Sequence, residues 1–307
     1  MNKSWKDSKG NLHEGKALVS KNGFTVIDCH FCEFKHIIPL TDESIQKEFY
    51  SEKFYEEEKQ NYIQRQQEDY DWWSIEYNEK YDLFEKYFDK SGQRKMLDIG
   101  SGPGFFLKIG KERGWDVTGI EPGKPAYEFS TSELGLNVIN EFFCKENYFK
   151  FGTFDIIHLN NVLEHIVDPI NMVKMAKEIL NPNGQVCITC PNDFNPLQLM
   201  AVENLNKDYW WVVPEHHINY FDLKSLKKLL IKIGLDVIYH TVSFPLELYL
   251  LMGDDYIGND DIGRKIHGKR MTLEKHFNKA EKNQLKRDIY GKLAEIGLGR
   301  ELTVIAQ

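Results

Sequence analysis

Met96-Leu97-Asp98-Ile99-Gly100-Ser101-Gly102-Pro103-Gly104-Phe105-Phe106 is the stretch from which the fold can be read. A short apolar run ends in an acid, three glycines follow at alternate positions, and then come residues able to start a helix. That order predicts strand, tight turn, helix. Glycine in such a turn permits positive φ and lets a ligand approach the backbone without meeting a Cβ. A dinucleotide-binding turn has the different spacing Gly-x-Gly-x-x-Gly and offers a helix N-terminus to a pyrophosphate. Asp98 at the strand end would repel phosphates in a partly dry site, and suits instead a ligand carrying an ammonium or sulfonium charge. Downstream, Asp116-Val117-Thr118-Gly119-Ile120-Glu121-Pro122 reads as the next strand, with Glu121 at its end to accept both hydroxyls of a ribose. An adenosine with a cationic tail and no phosphate is S-adenosylmethionine.

With Phe154-Asp155-Ile156-Ile157-His158-Leu159-Asn160-Asn161-Val162-Leu163-Glu164-His165-Ile166-Val167-Asp168-Pro169 added, the chain resembles the class I S-adenosylmethionine-dependent methyltransferases from Lys95 to Val242 and in its last strand. The resemblance implies an α/β fold: a Rossmann-like, mostly parallel seven-stranded sheet with helices on both faces. It implies S-adenosyl-L-methionine as cofactor, held by Asp98, Gly100, Ser101, Gly102, Gly104, Phe105, Glu121, Pro122, Glu141, Asn160, Asn161 and Leu163. Ligands of open α/β sheets bind beyond the carboxyl ends of the strands, so these positions are expected around one crevice. Ubiquinone-pathway O-methyltransferases and small-RNA methyltransferases can bind a divalent metal through Glu-x-x-Glu-His at the fourth strand. Here the first carboxylate is the amide Asn161, which weakens the case for metal.

A chain of 307 residues, 41% hydrophobic and 28% charged, has the composition of a globular protein able to bury a full core. Its net charge of −8 offers no basic excess for gripping many phosphates, so nucleic acid is not expected as a partner. No apolar run reaches the roughly 20 residues that span a bilayer, and the polar start lacks a signal-peptide core. A cytoplasmic monomer or homodimer, with no membrane partner, is the expectation.

Five cysteines suggest no disulfide framework. Cys187 and Cys190 lie three apart on an apparent buried strand, point to opposite faces and read as core. Cys29, Cys32 and His36 have tolerable metal spacing, with His13 or His30 as a fourth ligand, or else are thiols buried in a hairpin. Some related sugar methyltransferases carry an N-terminal zinc module, with more cysteines than this chain has. No metal is assigned on sequence alone.

Residues 1–92 read as a β-hairpin, Ala17–Ser20 and Phe24–Asp28 around Asn22-Gly23, followed by a tyrosine-rich helical extension that Ser91-Gly92 ends. Residues 93–307 read as the methyltransferase domain, in which strands and helices alternate. Strands are expected at Leu136–Ile139, Asp155–Leu159, from Gln185, at Leu235–Val242 and at Glu301–Ala306. Insertions at 192–221 and 244–299 are expected to form a substrate cap.

Methyl transfer displaces a thioether from an already activated carbon, so the protein supplies alignment, dryness and, for a hydroxyl nucleophile, a base. Histidine is the first candidate. His217 ranks ahead of His216 as the base, with His165 beside Glu164 also considered. Trp73, Trp211 and Tyr220 are candidates to meet the acceptor, and His267 and Arg270 to meet a phosphate. The expected acceptor is a small polar molecule, a sugar, nucleotide-sugar or surface-polysaccharide precursor, with O-methylation preferred to N- or C-methylation. A nicotinamide-dependent oxidoreductase is the enzymatic alternative, disfavoured by the glycine spacing; a non-catalytic cofactor-binding module is the other.

Overall fold

The chain begins with four antiparallel strands, β1 (Asn2–Lys6), β2 (Leu12–Lys21), β3 (Phe24–Cys29) and β4 (Lys35–Ile38). Lys21 pairs with Phe24, so the β2–β3 connection is the two-residue Asn22-Gly23, with φ of 50° and 84°. Positive φ at both residues matches the right-handed twist of the flanking strands, which is why Asn-Gly sits there. In this computed structural model residues 1–41, 43–51, 54, 61–87 and 92–307 are described. Ser91, read above as a boundary, lies outside the described residues, as do parts of the helical extension.

Helices α1 (Glu43–Glu48), α2 (Tyr62–Glu68) and α3 (Tyr70–Tyr87) follow. Then strands and helices alternate: β5 (Lys95–Ile99), α4 (Phe105–Glu112), β6 (Asp116–Ile120), α5 (Lys124–Glu128), β7 (Val138–Ile139), β8 (Phe154–Asn160), α6 (Pro169–Glu178) and β9 (Leu180–Pro191). The remaining elements are α7 (Pro196–Leu205), β10 (Asn219–Tyr220), α8 (Leu223–Lys232), β11 (Val237–Val242), α9 (Glu247–Leu251), α10 (Asp260–Lys279), α11 (Asn283–Glu295) and β12 (Glu301–Ala306).

Seven strands form the large sheet in the order β11-β12-β9-β8-β5-β6-β7, and the β5–β6, β5–β8 and β6–β7 pairs are parallel. This is the expected Rossmann-like α/β architecture. Its central strands are apolar on both faces because helices cover both: Met96, Leu97, Ile156, Ile157 and Leu159 are essentially inaccessible. Local chemistry sets the helix starts. Asp168 accepts from Asn171 N ahead of Pro169, and Asp222 forms a capping box with Ser225 at α8. The sheet departs from expectation in detail. β7 is only two residues long, and β9 starts at Leu180 rather than Gln185, taking in Asn181–Gly184 with Asn183 at φ 62°.

The second sheet has the order β1-β2-β3-β4-β10, where β10 adds to the N-terminal strands through Asn219↔His36 and Tyr220↔Lys35. The chain divides into two compact units that interleave in sequence. One comprises Met1–Thr41, Leu163–Val167 and Thr189–Val304; the other comprises Asp42–Val162, Asp168–Ile188 and Ile305–Gln307. They are called here the strand-rich unit and the turn-bearing unit. This division runs elsewhere than at residue 92: the N-terminal hairpin goes with the later insertions, and the tyrosine-rich helices go with the glycine turn.

Candidate active site

In the turn-bearing unit, Gly100, Gly102 and Gly104 have φ of 72°, 54° and 83°, and α4 starts at Phe105. At Gly100 a Cβ would lie 2.6 Å from Val162 Cγ2 in addition to straining the backbone, so the position accepts only glycine without rearrangement. Gly100 N and Ser101 N both donate to Ile120 O, at 2.8 and 3.1 Å, which fastens the turn to the end of β6. Glu121 completes the latch: Oε2 accepts from Gly102 N and Oε1 from Gly123 N, each at 2.8 Å, with the side chain buried. Ser101 Oγ is buried and has no hydrogen-bond partner among the described residues. An orphaned hydroxyl beside a turn of positive-φ glycines fits a polar ligand held there.

Behind the turn, Asp98 accepts from His158 Nδ1 at 2.8 Å, both side chains being buried. Lys80 fixes the tautomer. Its Nζ lies 3.4 Å from His158 Nε2, and an ammonium can only donate, so Nε2 is the acceptor and the proton sits on Nδ1. Burial lowers the imidazole pKa, with Asp98 opposing, and the ring stays neutral near pH 7. Lys80 also donates to Asn160 Oδ1 at 3.1 Å. Sequence reading missed both Lys80 and His158, although His158 stood inside the quoted strand; a histidine in a wholly buried parallel strand needs a polar partner, and that was the available signal.

Other predicted cofactor contacts divide. Phe105 is buried between Tyr70 and Phe129, with ring centroids 5.7 and 5.6 Å away. Pro122 is half-buried, and Asn140 Nδ2 donates to Glu121 O and Pro122 O, holding the β6 end. Glu141 is paired with Lys150 Nζ at 2.9 Å and accepts from Asn147, and the lysine holds its carboxyl below the usual range. Asn161 takes φ 55° at the end of β8. Leu163 has no accessible side chain and belongs to the strand-rich unit. Trp73 is half-buried and stacks on Tyr77 at 5.3 Å; Trp72 and Tyr77 are buried.

The histidine candidates all lie in the strand-rich unit. His165 Nδ1 is 2.9 Å from the His216 carbonyl oxygen, so that nitrogen donates, and Nε2 faces Glu164 Oε1 at 3.6 Å. His217 stands edge-on to His165 with ring centroids 4.9 Å apart. One ligand-capable atom each from Glu164, His165 and His217 falls within 4.8 Å of the others. The segment is anchored by Ile218 N to Glu164 O at 2.8 Å and by Asn219 Nδ2 to Leu163 O and Ile166 O.

Three expectations are corrected. Trp211 and Tyr220 do not present an open face to an acceptor: both are buried in one apolar cluster with Val26, Ile37, Val212 and Ile218, and Tyr220 sits in β10, which joins the N-terminal sheet. Arg270 is not an exposed anion anchor. It is buried on α10 with Nε 3.8 Å from Glu274, whose carboxylate also accepts from Tyr290 of α11 at 3.1 Å, a link between two helices. His267 is half-buried on the same helix, and neighbouring Lys269 is paired with Asp254 at 2.7 Å. Cys187 and Cys190, as expected, are fully buried, and burial pushes the Cys187 thiol up to about 11.

A profile described as a methyltransferase domain matches residues 64–240. The ubiquinone biosynthesis O-methyltransferase of Histophilus somni (strain 2336) is 30% identical over 30% of this chain and 42% of its own length. That of Pseudomonas aeruginosa (strain UCBPP-PA14) is 30% identical over 36% of this chain and 49% of its own length. The chain thus spans about half the length of these curated relatives. The crystal structure of the plantazolicin methyltransferase BpumL, in complex with a monoazolic desmethylPZN analog and SAH, superposes with TM-score 0.51 at 15% identity. It covers 86% of this chain and 95% of that one, a likeness of fold.

Proposed function

The chain belongs to the class I S-adenosylmethionine-dependent methyltransferases, and from that premise we propose that it transfers the methyl group of S-adenosylmethionine to a hydroxyl of a small polar acceptor. The observation that carries the proposal is the Glu121 latch on a turn with three positive-φ glycines, with Ser101 Oγ orphaned beside it. When bound, the cofactor supplies an electrophilic carbon. Glu121, held in place by Gly102 N and Gly123 N, would take its ribose hydroxyls. Asp98, held by neutral His158, would face its cationic end.

We place the base in the Glu164–His165–His217 cluster, with His217 first. His216 acts there through its carbonyl, which holds the proton on His165 Nδ1 and leaves Nε2 toward Glu164. The acceptor class expected from sequence, a sugar or polysaccharide precursor, carries suitable hydroxyls. A nucleotide-sugar loses support, since Arg270 is buried against Glu274 and Lys269 is paired with Asp254 at the surface. Hydroxyl chemistry also agrees with the names of the relatives, which are O-methyltransferases.

The test is release of S-adenosylhomocysteine with a panel of hydroxyl acceptors and their deoxy or O-methyl counterparts. His217→Asn is expected to lower kcat about 100-fold or more with little change in cofactor affinity. Turnover indifferent to the acceptor hydroxyl, or unchanged in both His217→Asn and His165→Asn, would overturn the reading. The convergence of Glu164, His165 and His217 favours one second reading, a divalent cation polarising the hydroxyl. Loss of activity in chelator, restored by magnesium alone, would select it.

A further inference from the structure

We propose that His13, Cys29, Cys32 and His36 form a closed tetrahedral site for one zinc ion that organises the N-terminal sheet. Sequence spacing left the fourth ligand open between His13 and His30. The structure decides for His13, because His30 is exposed while His13 lies 5% accessible on β2. One ligand atom from each of the four residues falls within 4.8 Å of all the others.

The distances fit a metal better than a hydrogen-bonded cluster. His13 Nδ1 is 3.2 Å from His36 Nε2, 3.4 Å from Cys32 Sγ and 3.9 Å from Cys29 Sγ. A tetrahedron with zinc–nitrogen and zinc–sulfur bonds of ordinary length puts its nitrogens about 3.3 Å apart and nitrogen about 3.6 Å from sulfur. A single proton on His13 Nδ1 can serve only one of its three neighbours, whereas one dication satisfies all four atoms. Two sulfurs and two imidazoles suit zinc, and four protein ligands leave no open position, the mark of a structural site.

The surroundings agree. His36 Nδ1 donates to Ile37 O at 2.8 Å, which fixes the tautomer and leaves the Nε2 lone pair facing inward. His13 Nε2, on the far side of its ring, faces Asp7 Oδ2 at 3.5 Å; ligating histidines usually show such a carbonyl or carboxylate behind them. Cys32 N donates to Cys29 Sγ at 3.4 Å, and Glu33 N to Cys29 O at 2.9 Å with Glu33 at φ 67°, a knuckle that turns both sulfurs to one side. Ile27, Cys29 and Ile38 form a dry cluster with Trp5 against it. Gly15 permits the approach of the strands: its Cβ would lie 1.8 Å from Asp28 O beside Cys29.

His36 pairs with Asn219 across β4–β10, and Ile37 N donates to Ile218 O at 3.0 Å. The ion would therefore brace the strand that directly follows His216 and His217; only this consequence rests on the functional reading above.

The experiment is metal analysis of the full-length protein purified without chelator, with cobalt substitution. About one zinc per chain is expected, with thiolate-to-cobalt charge transfer and intense tetrahedral d–d bands in the cobalt form. The double variant Cys29→Ser, Cys32→Ser should lose the metal, and Cys144→Ser should keep it. If the double variant does not fold, alkylation of the wild type decides: Cys29 and Cys32 should react only after chelation. Under about 0.1 zinc per chain after incubation with zinc, a Cys29–Cys32 disulfide, or alkylation indifferent to chelator would overturn the proposal.

Discussion

The glycine turn and the cysteine–histidine cluster are both built where strands end, yet they are specified in opposite ways. The turn is made by neighbours in sequence, Gly100 to Gly104, and is closed by Glu121 with bonds that need nothing from outside the chain. The cluster gathers His13, Cys29 and His36 from three strands and Cys32 from the loop between two of them, and its donor atoms fall close together. A self-latched turn is preorganised before its ligand arrives. A convergent set of lone pairs is complete only with a cation, so its ligand is part of the fold. That difference can be broken or sharpened by experiment.

The largest effect is expected on stripping zinc. Amide exchange in β2–β4 and in residues 213–222 should accelerate about 100-fold or more, a loss of roughly 3 kcal/mol or greater. Exchange in β5, β6 and β8 should stay unchanged. Equal acceleration in both regions would erase the contrast.

Another assembled group of the strand-rich unit gives a pH signature. Asp193 lies near Arg300, which also meets Glu247 at 3.2 Å, and burial raises the Asp193 carboxyl from 3.8 to about 6. The native state then holds a proton that the unfolded chain releases. Its contribution is full below about pH 4 and is lost as pH rises through about 6, up to about 3 kcal/mol. Denaturant titrations of Asp193→Asn against wild type should show the variant lacking this decline.

The glycines grade the turn. Gly100→Ala should cost about 2 kcal/mol, from left-handed backbone plus the clash with Val162. Gly102→Ala, at φ 54°, should cost about 1 kcal/mol. Chemical denaturation checks both, and a reversed order would mean that Val162 yields.

Legibility followed the same divide. The turn, Glu121 and the last strand Glu301–Ala306 could be read from sequence because each follows a local rule of spacing or alternation. His13 could not be singled out, because the β2–β3 register shifts between Ala17 and Val19. With that bulge Gly15 stands opposite Cys29 and His13 falls on the same face. Without it Lys16 would take that place and His13 would point away. The burial of Tyr220 was hidden for a related reason: the two-residue β10 that carries it pairs with a strand 183 residues earlier, Asn219 with His36. Arg270 looked like an anion anchor until α11 supplied Tyr290 beside Glu274.

The central claim is that Glu121 and the glycine turn hold the methyl donor, and calorimetric titration with S-adenosylhomocysteine tests it most directly. The wild-type chain should bind one molecule, and Glu121→Ala, still folded by melting, should bind roughly 100-fold more weakly through loss of two charge-assisted bonds. No binding by the folded wild type, or the same affinity in the variant, would contradict the account.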